Sequence, residues 1–175
     1  VEAMLAAGID ALILAPQDAS VCPGILAACK EKGVPAVVID RWPGDDLKAG
    51  DDYVCFIGPN DQVAGYGIAK NLIDNGCKKI VGIGGFQNTS VAEGRKLGLD
   101  QAMAEQSEAV LLQYEWAGEN SETGDQYMRN LLTAHPDLDG VWCYNDSLAL
   151  AAVNVLKENG RLGDVKVGGM DLLGP

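Results

Sequence analysis

Short apolar runs alternate with helical patterns from one end of this chain to the other, and that alternation constrains the fold more than any other feature. The strand-like runs are ALILA (11–15), PAVVID (35–40), YVCFI (53–57), KIVGIG (79–84), AVLLQYE (109–115), GVWCY (140–144) and VKVGGM (165–170). Helical patterns fill about 20–32, 61–75, 90–106, 121–134 and 146–159. Many of the strand runs are apolar throughout rather than at every second position, as expected of strands covered by helices on both faces. Strand–helix alternation implies parallel βαβ units, so the expected fold class is α/β with doubly wound parallel sheets. Gly33, Gly76 and Gly160 each follow a helical pattern, where a left-handed residue ends a helix at little cost. Ser20 and Asp146 stand where N-caps belong, and Pro23 falls in a first turn, where it is tolerated.

One connection breaks the rhythm. Between the runs at 35–40 and 53–57 lies RWPGDDLKAGDD, polar and without helical period, so two strands are joined there with no crossover helix. The turn-like GPND (58–61) follows. We expect a lobe boundary here, with residues 1–58 in one lobe and 59–175 in another. Three strands and one full helix are too little to bury both faces of a sheet, so the first lobe should be incomplete, with an open edge or apolar face. The chain opens with Val1 inside what reads as the last turns of a helix, VEAMLAA, stopped by Gly8, and it ends just after a strand. It reads as a piece of a longer protein.

Charge and composition exclude several functions. The net charge of −12 opposes non-specific binding to nucleic acid, because phosphates would be repelled, and there is no basic run or helix-turn-helix signature. No apolar run approaches the roughly 20 residues that span a bilayer. The five cysteines form no CxxC pair. Cys22 and Cys29 are seven apart on one predicted helix, about 10 Å between Cα atoms and too far to bridge. They read as small buried hydrophobes. Unpaired thiols fit poorly with an oxidising compartment.

Ligands of open parallel sheets bind outside the carboxyl ends of the strands. The residues that follow the strand runs are Gln17 and Asp18; Asp40, Arg41 and Trp42; Gln87, Asn88, Thr89 and Ser90, with Arg95 in the next helix; Trp116; Asn145 and Asp146; and Asp171. Asp, Asn and Arg are planar groups that make paired hydrogen bonds, and two adjacent hydroxyls of a polyol can take both arms of one. Trp offers a flat apolar face to the C–H side of a sugar ring. The single histidine, His135, stands at a helix end and reads as a surface residue. No nucleophile lies beside a base and no His or Cys cluster suggests a metal, so neither cofactor nor catalysis is expected. The string Gly82-Ile83-Gly84-Gly85-Phe86-Gln87 fails the dinucleotide fingerprint at its sixth place and reads as a strand-to-loop turn.

Taken in order, GIDALILAPQD, GVPAVVIDR, TSVAEGRKLG, NLLTAHPDLDGVWCYNDSLAL and VKVGGMD cover essentially the whole chain. With them the chain resembles the periplasmic sugar-binding proteins of ABC transporters, of the ribose-binding type, and their relatives in the lactose-repressor family. The resemblance implies the type I periplasmic binding protein fold, two doubly wound lobes that close on one sugar. It implies that Asp40 and Arg41 grip hydroxyls from the first lobe and that Arg95, Asn145 and Asp171 hydrogen-bond the ligand. By the same resemblance, Trp116 stacks on the ring. It further implies membrane permease subunits as partners and a periplasmic or cell-surface lipoprotein location. The chain departs from the family in a longer segment from Arg41 to Asp52 that carries Trp42, in Asn60-Asp61 where Asp-Asn is usual, and in Met170 where Phe is common. By the same resemblance, a first strand, its helix and a second strand are expected ahead of this chain, and the last helices and a hinge strand after it.

Each of these residues also has a purely structural reading. Asp40 with Arg41 would be a surface ion pair, Arg95 a solvated helix residue, Trp116 part of a lobe core, and Trp142, in mid-strand, a core residue. Asp146 is expected to cap its helix, leaving Asn145 to face the cleft, where a buried amide needs a partner that a sugar hydroxyl can supply. Three functions compete: a transport receptor for a monosaccharide or polyol, the effector domain of a lactose-repressor-family regulator, and an enzyme of flavodoxin-like or Rossmann type. The enzyme lacks a catalytic pair. The linker ENGRLGDVKV, with no Pro before the last strand, looks more like the transport branch.

Overall fold

A computed structural model describes residues 1–172; the last three residues of the second predicted lobe lie outside the described residues. The chain divides into two compact units, Val1–Pro59 with Thr89–Val91, and Asn60–Asn88 with Ala92 onward.

The first unit contains α1 (Glu2–Ala6), β1 (Leu12–Leu14), a 3-10 turn (Ala19–Val21), α2 (Cys22–Glu31), β2 (Ala36–Ile39) and β3 (Phe56–Ile57). Its three strands are parallel in the order β1-β2-β3, with Leu12 beside Ala36 and Val38 beside Phe56. One face is apolar and packed: Leu12, Ala36 and Val38 are buried with Leu5, Cys22, Leu26, Cys29 and Tyr53. The strand residues of the other parity form the opposite face, where Ile13 is 71% and Ile57 63% exposed. The helix-free connection explains this: β2 and β3 are joined by a polar loop, and no crossover helix is supplied to cover that side.

Two expectations are corrected here. Ser20 is not a cap; Asp18 takes that role, accepting from the Ser20 N–H at 2.8 Å, and the 3-10 turn it starts runs directly into α2. The strand expected over 53–57 shrinks to Phe56–Ile57, because Tyr53 is drawn back by a turn in which Gly50 N–H donates to its carbonyl at 2.7 Å.

The second unit holds α3 (Asp61–Asp74), β4 (Lys79–Gly84), α4 (Ser90–Glu105) from Ala92 onward, β5 (Val110–Trp116), α5 (Ser121–Ala134), β6 (Gly140–Cys143), α6 (Asp146–Glu158) and β7 (Lys166–Gly168). Its four strands are parallel in the order β5-β4-β6-β7. Neighbours β5 and β6 on either side of β4 mean that the chain reverses direction across the sheet there, as in doubly wound folds. On one face Trp142 is wholly buried, and its indole N–H donates to the Gly65 carbonyl of α3 at 3.0 Å. On the other, α5 and α6 pack together, Gly124 lying so close to Leu148 that an added Cβ would come within 2.9 Å.

The glycines of β4 also find their reason on the α3 side. A Cβ at Gly82 would stand 2.3 Å from the Tyr114 ring, and one at Gly84 2.1 Å from the Tyr114 hydroxyl. The register places Gly82 between Tyr114 and Trp142, so the missing side chain is what lets the two aromatics meet over the strand, ring centroids 6.1 Å apart. The glycines that follow helices behave as read: Gly33, Gly76 and Gly160 have φ of 68°, 91° and 66°. His135 is not a bare surface residue. It is half-buried, with Nε2 2.8 Å from the Gln113 side-chain oxygen on the α5 face of β5.

Candidate functional site

The carboxyl ends of β4, β5, β6 and β7 all lie at one end of the second unit's parallel sheet, and the polar residues there gather on Arg95. Arg95 comes from the second turn of α4 and is only 9% exposed. A buried guanidinium requires partners for its fixed fork of donors. Nε donates to Asp61 Oδ1 at 3.0 Å, one terminal nitrogen to the Tyr144 carbonyl at 2.7 Å, and the other to Asp171 Oδ1 at 3.1 Å. The guanidinium carbon also lies 4.6 Å from the centre of the Tyr144 ring, a cation–π arrangement. Gly85 makes room for that ring, since a Cβ there would be 2.9 Å from it.

Asn145 follows Tyr144 and is 8% exposed. It, not Asp146, is the cap of α6. Its backbone is extended and its side-chain oxygen accepts from Leu148 N–H at 2.9 Å, while Asp146 becomes the first helical residue. The extended backbone ends one residue earlier than a cap at Asp146 would require, so the last extended position is 145 and the helix begins at 146. The Asn145 amide nitrogen donates to the Glu119 carbonyl at 3.3 Å, which leaves its second amide hydrogen as the group it can offer elsewhere. The Tyr144 hydroxyl bonds Glu119 Oε1 at 3.1 Å, so both residues hold the loop after β5.

Trp116 is the last residue of β5 and half-buried, with its ring edge-on to Tyr114 at 5.0 Å. Burial pushes the Tyr114 phenol well above its usual pKa, and its hydroxyl lies buried beside Gly84 with no hydrogen-bond partner among the described residues. Of the predicted site residues, then, Arg95 and Asp171 are in direct contact, Asn145 adjoins them through Tyr144, and Trp116 stands at the same end of the sheet. Asp40 and Arg41 belong to the first unit, at the carboxyl end of β2. Asp40 takes a left-handed backbone (φ 63°), and its carboxylate lies 3.4 Å from Arg41 Nε. Nearby, the exposed Trp42 donates from its indole nitrogen to Asp45 at 3.0 Å and meets Phe56 edge-on. Among the described residues no group of three His, Cys, Asp or Glu is placed to hold a metal ion.

Sequence reasoning missed Asp61, Tyr144 and Glu119. Only Asp61 carried a signal, the reversed Asn60-Asp61 pair: Asn60 caps α3 by accepting from Val63 N–H at 3.1 Å, and the carboxylate next to it accepts from Arg95. Tyr144 and Glu119 act through a carbonyl and a loop, which no side-chain pattern records.

These features match known proteins along the whole chain. Residues 1–175 fit the periplasmic binding protein domain family. The D-ribose/D-allose-binding protein of Pseudomonas aeruginosa is 34% identical over 98% of this chain and 54% of its own length. The HTH-type transcriptional repressor PurR of Glaesserella parasuis is 32% identical over 78% of this chain and 42% of its own. A crystal structure of an ABC transporter periplasmic solute binding protein from Actinobacillus succinogenes, with bound D-allose, superposes with a TM-score of 0.88 at 28% identity, over 96% of this chain and 61% of that one. The chain belongs to the periplasmic binding protein family, and its fold is the type I form of that family. It spans about half the length of the relatives it matches.

Proposed function

We propose that this chain is part of a solute receptor of an ABC-type sugar importer, binding a monosaccharide or related polyol. Residues 1–58 are part of its N-terminal lobe and 59–175 part of its C-terminal lobe. The observation that carries this reading is the Arg95–Asp171 pair at the carboxyl ends of the strands, a guanidinium and a carboxylate 3.1 Å apart that together offer donors and an acceptor to adjacent hydroxyls. Trp116 supplies the stacking face, the second amide hydrogen of Asn145 one further donor, and Asp40 and Arg41 the hydroxyl contacts of the first lobe. The ligands of the relatives, ribose and allose, support the sugar class. None of these groups forms a nucleophile–base pair, which supports binding without turnover. The partners are the permease subunits, and the location is the periplasm or, as a lipoprotein, the cell surface.

Calorimetry of the whole receptor against a monosaccharide and polyol panel is the test. Arg95→Ala and Asp171→Ala should each weaken binding about tenfold to a hundredfold or more, the value of a charged hydrogen bond to a hydroxyl. Trp116→Ala should weaken all pyranoses alike. No binding across the panel, or conversion of a bound sugar to product, ends the reading. The effector domain of a repressor is the second reading, supported by the PurR match and by five free thiols. A helix-turn-helix ahead of this chain in the gene product would select it, and a secretion signal would reject it.

A further inference from the structure

We infer that Asp61 is a positioning residue for Arg95, setting the plane in which the guanidinium meets a ligand; the inference rests on the binding role proposed above for Arg95. Asp61 is the first residue of α3, and its carboxylate takes the Nε–H of Arg95 with both side chains largely buried, 13% and 11% exposed. The guanidinium is a rigid plane, so a hydrogen bond held at Nε restricts the rotation of the whole group about the end of its aliphatic stem. With Nε held on Asp61, the two terminal nitrogens donate to the Tyr144 carbonyl and to Asp171.

The backbone around this pair is set by close contact between helices. A Cβ at Gly94 would lie 2.9 Å from the Asp61 Cβ, and one at Gly65 2.0 Å from the Arg95 carbonyl oxygen. A Cβ at Gly98 would lie 2.0 Å from the Gln62 carbonyl oxygen. Three glycines thus let the first turns of α3 sit directly on the stretch of α4 that carries Arg95. The carboxylate and the guanidinium are therefore anchored by backbone on both sides, the condition for one side chain to aim another. The reversed pair suits this: Asn60 does the capping, and the Asp61 carboxylate accepts from Arg95 instead of from the helix N-terminus.

Affinity for D-ribose and D-allose in the whole receptor, with the melting temperature of each variant, tests the assignment. Asp61→Ala should weaken binding about tenfold or more, and Asp61→Asn, which keeps an acceptor oxygen, by less. In an Arg95→Lys background, where no Nε–H fork remains to be aimed, Asp61→Ala should change affinity little further. The exchange Asn60→Asp with Asp61→Asn keeps a capping side chain, so the melting temperature should hold while affinity falls as in Asp61→Asn alone. Equal loss from Asp61→Ala with Arg or Lys at position 95, or no loss with Arg, overturns the positioning role. An Arg95→Lys receptor that binds as well as the parent overturns the proposed role of Arg95 itself, and this inference with it.

Discussion

Gly98→Ala sets two effects against each other. Alanine is favoured over glycine inside a helix by about 1 kcal/mol, so propensity alone predicts a more stable protein. At Gly98, however, the new methyl would lie 2.0 Å from the Gln62 carbonyl oxygen and 2.5 Å from the Tyr66 nitrogen, both backbone atoms of α3. Ordinary contact begins near 3.4 Å, so the two helices would have to part by about 1.4 Å. That separation takes the Gln62–Gln101 hydrogen bond (2.9 Å) and the Tyr66–Glu105 hydrogen bond (2.7 Å) out of range. Overpacking of this kind costs about 1–3 kcal/mol, which exceeds the propensity gain. Gly67, on α3, is the control: a Cβ there meets nothing within 4 Å, so Gly67→Ala should stabilise by up to about 1 kcal/mol. Urea unfolding followed by tryptophan fluorescence reads both, as midpoints moving in opposite directions. A Gly98→Ala protein as stable as Gly67→Ala would refute the close approach of the helices.

Two further outcomes follow from the cap and the thiols. Asn145→Ala should cost about 1 kcal/mol through the lost cap, and Asp146→Ala less, the reverse of what Asp146 as cap would give; urea midpoints decide it. Alkylation of the folded protein read by mass spectrometry should label half-buried Cys55 first and Cys143 last, since Cys143 is fully buried and its thiol is pushed far up by burial and, secondarily, by Asp146.

The α/β architecture was legible because buried parallel strands carry a dense apolar signal and helices between them end in glycine. Trp142 was readable as core for the same reason. What escaped was local and depended on one-residue offsets. GVWCYND gives no sign of whether the extended backbone ends at Asn145 or Asp146, and that single step decides which residue is the cap. The glycines of VGIGG could be denied a nucleotide role from spacing, but their use as a floor for Tyr114 and Tyr144 depends on partners 30 to 60 residues away in sequence. Arg95 and Asp171 were named one by one. Their contact is set by α4 meeting the end of β7, a matter of tertiary packing that a linear pattern does not encode.

The uncovered side of the β1-β2-β3 sheet has a colloidal consequence. Ile13 and Ile57 present aliphatic surface to water on a molecule whose net charge of −12 keeps copies apart. That repulsion comes from carboxylates, so it fades as acid protonates them, and added salt shortens its reach to a few ångströms at 1 M. Solutions of this chain should therefore cloud on mild acidification or salting before the packed α/β core unfolds. Replacing Ile13 with Lys should postpone the clouding without shifting the urea midpoint.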